Sequence, residues 1–292
     1  MHALTITDVR AHPGDSAFLI DDGTTAILYD SGFAFTGYAV ADNIKKELGS
    51  RKLDYIFLTH SHYDHVLGSV YALQYWPETQ VVAGEYAVKI FQKESAKRVM
   101  RELDRKFAVQ CGATAYEDLI DQLKVDIIVR DGDIIQAGAM TFTVLELPGH
   151  TRCSIGFYLP ENKLLLSSET LGVFDGEETV IPSYLIGYQV TLNSIQKAEQ
   201  LEIEALLLPH YGLLNREQTA FYLQNAKKNA IETAAEILEI LQQGGSHADA
   251  FAFFKKKYYC GKVPEIYPID AMILNTNIMI DLIDRELNQK NS

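Results

Sequence analysis

The chain has 292 residues, 47% of them hydrophobic, and its 26 basic and 39 acidic residues give a formal charge of −13. This composition is typical of a globular protein with one large core or two modest ones, and the acidic balance argues against nucleic acid or an anionic membrane as partner. Three widely spaced cysteines predict no disulfide framework and no thiolate metal site. The start of the chain lacks a basic flank followed by an apolar stretch, and the apolar stretch at 266–283 contains polar residues. We therefore expect a cytoplasmic protein without a membrane span.

The first part of the chain predicts a β-rich unit that also carries helices. Its apolar segments are short, and turn signals such as Pro13-Gly14-Asp15 and Asp21-Asp22-Gly23 separate them. The predicted elements are three strands before residue 31, a helix over 38–48, a strand over 54–60, a helix around 66–76, a strand over 80–84 and a long charged helix from Glu85 to about Gln110.

The middle of the chain repeats this order of strands, helix and strand. The second set of predicted strands covers 126–129, 131–138, 140–148, 153–159 and 163–168, before a helix near 190–200 and a strand over 205–209. Two such halves predict an α/β (α+β) fold in which two sheets pack face to face and helices cover the outsides, a four-layer sandwich.

The last quarter of the chain predicts helices alone. A long amphipathic helix covers 216–243 and stops at Gly244-Gly245, and further helices are expected over 247–259 and 268–288. We expect a layered domain over 1–215 and a C-terminal helical extension over 216–292 that packs on it. The extension also offers a surface for a homodimer.

Five of the eight histidines lie where apolar strands end in loops: His60, His62, His65, His150 and His210. A lone histidine is more often a hydrogen-bonded residue than a ligand. Here three lie within six residues, together with Asp64. In an extended turn His60 and His62 can approach one metal while Asp64 and His65 turn toward a second. The cluster therefore predicts two adjacent metal sites.

Three segments together resemble the ordered signature of the metallo-β-lactamase superfamily. They are Thr59-His60-Ser61-His62-Tyr63-Asp64-His65, Pro148-Gly149-His150-Thr151 and Pro209-His210-Tyr211-Gly212. The resemblance covers residues 1 to about 215 and implies the αββα sandwich of that superfamily, so that 1–215 is its catalytic domain. Asp30 matches an early aspartate which, by the resemblance, is a buried group that shapes the metal loop without binding metal.

The resemblance also implies two divalent metal ions and their ligands. One ion takes His60, His62 and His150, the other takes Asp64, His65 and His210, and a carboxylate near residue 169 bridges them. The family usually has aspartate at the bridging position, whereas this chain has Glu169. The longer side chain either bridges both ions or binds one and leaves the second site weak. Zinc is the expected metal, and iron or manganese are alternatives because they accept the same ligands.

The implied activity is metal-dependent hydrolysis by a water molecule that the metals activate, with Asp64 and His210 as catalytic residues. Within the superfamily the chain resembles the branch of the alkylquinolone-signal thioesterase and the glyoxalase-II-like enzymes. We therefore expect a small acyl thioester or ester as substrate. A lactonase is the alternative, and a metal-binding regulatory protein that acts through its helical surface also remains open. A flavodiiron-type oxidoreductase is disfavoured, because it needs glutamate where His62 stands.

Two further expectations concern the surroundings of the site. The region 93–124 and the C-terminal helices are expected to cover the pocket, with an apolar lining from Phe91, Phe107, Tyr184, Tyr188 and Phe221. Cys153 is expected to be a buried structural thiol without a catalytic role.

Overall fold

A computed structural model describes residues 4–176 and 179–288. The chain divides into two compact units, one formed by Met1–Glu146 and Ile155–Leu166, the other by Leu147–Ser154 and Ser167–Ser292. This division does not test the predicted boundary at residue 215, so the domains 1–215 and 216–292 remain a prediction. Among the described residues, no helix is both long and apolar enough to cross a bilayer.

The first unit contains a six-stranded sheet. In spatial order its strands are β1 (Thr5–Asp8), β2 (Phe18–Asp21), β3 (Ala26–Tyr29), β4 (Tyr55–Phe57), β5 (Gln80–Gly84) and β6 (Ile127–Val129). The strands β1 to β3 pair antiparallel, and β3 to β6 pair parallel. The prediction that 126–129 belongs to the second set of strands is wrong, because β6 pairs with β5. A three-residue apolar strand suits either sheet, and only the path of the chain decides between them.

Five α-helices of the first unit connect or follow these strands. They are α1 (Gly37–Leu48), α2 (Tyr63–Val66), α3 (Ser69–Tyr75), α4 (Glu85–Phe91) and α5 (Glu94–Gln110). The single helix predicted from Glu85 to Gln110 is thus two helices, which a break at Gln92 and Lys93 separates. Between α2 and α3, Gly68 passes so close to the backbone of Ser31 that a Cβ atom would lie 1.7 Å from the Ser31 carbonyl oxygen. No other residue type fits there without a shift of the backbone.

Four antiparallel strands complete the first unit: β7 (Ile134–Ala137), β8 (Met140–Glu146), β9 (Ile155–Leu159) and β10 (Leu164–Leu166). Phe57 of β4 contacts Phe142 of β8 and Phe157 of β9, with ring centroids 5.2 and 4.5 Å apart. All three rings are buried. Within this unit the two sets of strands therefore pack face to face, as the sequence predicts.

The second unit is mostly helical. Its strands are β11 (Val173–Phe174), β12 (Val180–Ile181), β13 (Ala205–Leu208) and β14 (Gly212–Leu214), and its helices are α6 (Tyr188–Glu199), α7 (Arg216–Gln242), α8 (His247–Tyr258), α9 (Val263–Ile266) and α10 (Ile269–Ile283), with a π-helical turn at Asp284–Asn288. Side chains of Asn215 and Ser246 form capping boxes at the starts of α7 and α8. The three long C-terminal helices are confirmed. The sequence does not predict β11, β12, β14 or α9, which are too short to show a period.

A buried carboxylate on helix α5, that of Asp104, attaches this helix to other segments of the first unit. Asp104 is 1% exposed, and its Oδ1 accepts a hydrogen bond of 2.9 Å from the Ala34 N–H. Its Oδ2 accepts one of 2.5 Å from the Tyr116 hydroxyl. Burial raises the pKa of Asp104 from 3.8 to about 6, more than these hydrogen bonds lower it.

This raised pKa predicts a pH-dependent stability. Between pH 4 and pH 6 the folded protein keeps a proton on Asp104 that the unfolded chain has lost, so the contribution of Asp104 to stability falls as the pH rises through this window. Relative to Asp104→Asn, the free energy of unfolding of the parent protein should fall by about 2 kcal/mol from pH 4 to pH 6, by about 3 kcal/mol in all from pH 3 to pH 7, and stay level above pH 7. Urea denaturation at each pH measures this difference. Glu102→Gln, an exposed change on the same helix, is the control, and a constant difference for Asp104→Asn would contradict the prediction.

Candidate metal centre

Four of the predicted ligands lie together in the first unit, on the loop that follows β4 and on helix α2. The ring centroid of His60 lies 4.6 Å from that of His62 and 4.0 Å from that of His65. The Asp64 Oδ2 atom lies 3.6 Å from the His65 Nε2 atom. His60 and His65 are buried, whereas His62 and Asp64 are half-buried. The unit thus brings three imidazoles and one carboxylate into one cluster.

Behind this cluster lies the carboxylate of Asp30, which is fully buried at the end of β3. Its Oδ1 accepts a hydrogen bond of 2.8 Å from the Thr59 N–H. Its Oδ2 accepts hydrogen bonds from the hydroxyls of Ser16 (2.9 Å) and Thr59 (3.1 Å), and it lies 2.8 Å from His65 Nδ1. A carboxylate only accepts, so His65 carries its proton on Nδ1 and keeps Nε2 for a metal. Asp30 therefore occupies the place that the family resemblance implies.

Thr59 fixes in a similar way which ring nitrogen of His60 carries the proton. The Thr59 hydroxyl donates to Asp30, so at 3.0 Å from His60 Nδ1 it accepts the proton of that nitrogen. His60 is thereby held with Nε2 as its acceptor atom. One buried carboxylate sets the tautomer of two neighbouring histidines, which is the usual support of histidines that bind metal.

The backbone around the cluster is held by a second buried carboxylate, Asp15. Its Oδ1 accepts hydrogen bonds from the Phe33 N–H and the Thr36 hydroxyl, and its Oδ2 accepts from the N–H groups of Ala11 and His12. Burial raises the pKa of Asp15 above its usual value. From the sequence alone, Asp15 is recognised only as part of a turn. The sequence around Asp15 does not predict its hydrogen bonds with Phe33 and Thr36, which are distant along the chain.

Three further predicted ligands meet in the second unit, beginning with His150. Gly149 precedes it, and a Cβ atom on Gly149 would lie 2.6 Å from side-chain atoms of Thr170 and Thr191. The His150 Nδ1 atom lies 3.2 Å from the Ser183 carbonyl oxygen and 2.7 Å from the Ser183 hydroxyl. The carbonyl can only accept, so the proton of His150 sits on Nδ1 and Nε2 is the acceptor atom. Ser183 lies 33 residues from His150, and the sequence does not predict this contact.

Glu169 lies between the two histidines of this unit. Its Oε2 is 2.9 Å from His150 Nε2, and its Oε1 is 3.4 Å from His210 Nε2. Each carboxylate oxygen therefore faces a different imidazole. His210 has a φ of +62°, a left-handed conformation that is uncommon for residues other than glycine, and strained backbone of this kind clusters at functional sites.

The comparison with known families agrees with this geometry. Residues 14–210 match the family model described as the metallo-beta-lactamase superfamily. The chain belongs to the metallo-β-lactamase superfamily. Members of this superfamily are largely hydrolytic metalloenzymes that bind divalent metals, usually zinc or iron.

Individual superfamily members match at low identity. The chain is 25% identical over 168 residues to the acyl-coenzyme A thioesterase MBLAC2 of Gallus gallus, over 55% of this chain and 57% of that protein. It is 27% identical over 119 residues to the hydroxyacylglutathione hydrolase of Brucella anthropi, over 41% and 34%. These matches span about half and about a third of the relatives' lengths.

Solved structures confirm the predicted fold class. A metallo-beta-lactamase family protein from Thermus thermophilus superposes with a TM-score of 0.64 at 16% identity, over 98% of this chain and 93% of that one. At this identity the match supports the fold alone.

The donor groups suit the metals that the superfamily binds. Each unit supplies histidine nitrogens and a carboxylate, and zinc, iron and manganese all accept these two kinds of ligand. Three of the histidines have Nδ1 hydrogen-bonded to the protein, as histidines that bind metal through Nε2 do. Cys153 is 4% exposed, and its Sγ lies 3.2 Å from the Thr151 hydroxyl. This agrees with a buried structural thiol.

Proposed function

We propose that the chain is a dinuclear metal-dependent hydrolase of a small acyl thioester. By the family resemblance, the proposed ligands of one ion are His60, His62 and His150, and those of the other are Asp64, His65 and His210, with Glu169 as the bridging carboxylate. The observation that carries the proposal is the position of Glu169, which offers one oxygen beside each histidine of its unit. This arrangement supports a bridging role for the longer side chain of glutamate.

The substrate class rests on the relatives. One is an acyl-coenzyme A thioesterase and the other is a hydroxyacylglutathione hydrolase. Coenzyme A and glutathione both carry acyl groups as thioesters, so their shared chemistry is attack on the carbonyl of a thioester. This supports a thioester as the first substrate to test.

Bound divalent metals would supply a Lewis acid and lower the pKa of a water molecule. The residues of the chain then have separate tasks. Asp30, Thr59 and Ser183 orient the imidazoles before substrate arrives, which reduces the reorganisation needed during the reaction. Asp64, whose side chain is 21% exposed, is the proposed acceptor for the proton of the attacking water. His210 is the second proposed catalytic residue, and its Nε2 atom lies 3.4 Å from Glu169 Oε1.

A thiol-release assay tests the proposal. Protein as isolated should cleave acetyl-coenzyme A or a glutathione thioester, should lose at least about 100-fold in rate after treatment with a chelator, and should regain it with zinc, iron or manganese. His62→Ala should reduce the rate to a similar extent, whereas His247→Ala, a surface histidine of α8, should not. Elemental analysis of the same sample identifies the metal. Retained metal without turnover of any thioester, ester or lactone would instead support a metal-binding regulatory protein.

A lactonase is the second candidate, and the charge of the chain favours it. Coenzyme A and glutathione are anionic, and a formal charge of −13 repels them, whereas a lactone is neutral. A pH-indicator assay with neutral acyl lactones distinguishes the two, because only a lactonase releases acid from them at a rate comparable to or above that of thioester cleavage. The cytoplasmic location and the homodimer through the C-terminal helices stay predictions.

A further inference from the structure

A cavity of about 350 Å³ lies beside His62 in the first unit. One of its walls is the loop with His62 and Tyr63, and the other is helix α5, which contributes Ala96, Val99, Met100 and Leu103. This volume is at the lower end of the range for small-molecule sites, roughly 300–1,000 Å³. A proposed metal ligand therefore forms part of a cavity that is large enough for a ligand.

Apart from Ser95, which also borders the cavity, the wall formed by α5 is apolar although the helix is highly charged. Ala96, Val99, Met100 and Leu103 are spaced i, i+3, i+4 and i+7, so they share one face of the helix. The charged side chains lie elsewhere: Arg101 and Arg105, for example, form ion pairs with Asp118. Val99 remains 49% exposed although it adjoins Met100, which is 6% exposed. An apolar ligand would cover the exposed part of Val99.

We propose that this cavity binds the aliphatic acyl chain of the substrate. This inference rests on the proposed function, because it places the acyl carbonyl at the metals that His62 helps to hold and the chain along α5. From Ala96 to Leu103 the helix rises about 10 Å, which matches an extended chain of about eight carbons. The structure thus points to a medium-chain, linear acyl group.

The aromatic residues expected to line the pocket do not line this cavity. Phe91 and Tyr184 are buried in the core. Phe107 packs against Phe33 and Phe35, with ring centroids 5.0 and 5.9 Å apart. Aromatic residues at helical spacing are more often part of the core, and here the aliphatic residues of α5 supply the apolar wall.

A series of linear acyl-coenzyme A substrates from acetyl to dodecanoyl tests the proposal. For the parent protein, KM should fall about fourfold per added methylene until about eight carbons and then level off. Val99→Trp, which fills the cavity, should raise KM for the octanoyl substrate at least tenfold and remove the dependence of KM on chain length. Glu102→Trp, an equally large change at an exposed position of α5 outside the cavity, should keep the parent pattern. Thermal denaturation checks that both variants fold.

A binding measurement separates this inference from the proposed function. Calorimetric titration of the protein as isolated with octan-1-ol, which carries no charge, reports on the cavity without any turnover. Binding that Val99→Trp abolishes and Glu102→Trp preserves supports the subsite even if no thioester is cleaved. Thioester hydrolysis without dependence on chain length, together with unchanged binding in Val99→Trp, overturns the subsite and leaves the hydrolase proposal intact.

Discussion

Exchange of Glu169 for glutamine is expected to remove at least one metal ion per chain and to lower thioester turnover about 100-fold or more. The carboxylate has one oxygen 2.9 Å from His150 Nε2 and the other 3.4 Å from His210 Nε2. An amide keeps the size of the side chain, but it loses the negative charge and replaces one acceptor with a donor. Elemental analysis and the thiol-release assay measure the two effects.

Two control variants make this prediction specific. Glu169→Asp keeps the charge and restores the residue that the superfamily resemblance implies, so it should retain most of the metal. Glu161→Gln removes a charge at an exposed position and should change neither metal content nor turnover. A Glu169→Gln protein that keeps two ions and full activity would show that residue 169 does not bridge metals.

The second large effect is expected for Asp30→Asn, which should weaken metal binding about 10- to 100-fold and lower the free energy of unfolding by about 3 kcal/mol. Asp30 accepts from Ser16, from the hydroxyl and backbone of Thr59, and from His65. The amide nitrogen of asparagine cannot accept a hydrogen bond. In place of Oδ1 it leaves the Thr59 N–H without its acceptor, and in place of Oδ2 it makes His65 either lose its contact or move its proton to Nε2, where that nitrogen no longer binds a metal.

Separate measurements distinguish the two consequences of Asp30→Asn. Competition with a fluorescent chelator gives the metal affinity, and urea denaturation in excess chelator gives the stability without the metal contribution. Ser16→Ala removes a single hydrogen bond to the same carboxylate and should cost only about 1 kcal/mol. An unchanged metal affinity in Asp30→Asn would mean that this carboxylate does not set the tautomer of His65.

Short-range patterns predict much of the fold. The strands β1 to β5 and the helices α1, α6, α7, α8 and α10 lie close to their predicted positions, because each shows an apolar period or a clear stop signal within its own sequence. The assignment of Ile127–Val129 to the wrong sheet and the unpredicted break at Gln92 have a common cause. The pairing partner of a strand and the place where a helix breaks both depend here on tertiary packing, which the neighbouring sequence does not show.

The supporting residues of the candidate site show the same limit. His60, Asp64 and His65 are recognisable because they lie within six residues of one another. Asp30 and Thr59 are 29 residues apart, and His150 and Ser183 are 33 apart, so their hydrogen bonds cannot be found from spacing. Asp30 is predicted only through the family resemblance, whereas Thr59 and Ser183 have no predicted role.

The sequence by itself determines the superfamily, the donor types and the order in which the chain presents them, because these depend on residue identity and local spacing. Only the tertiary structure decides which nitrogen of each imidazole carries its proton and where the oxygens of Glu169 point. It also shows that aliphatic residues of α5, and not the aromatic residues expected from the sequence, form one wall of the cavity beside His62. Each of these properties depends on hydrogen bonds or packing between residues distant in sequence, and such contacts form only when the chain folds.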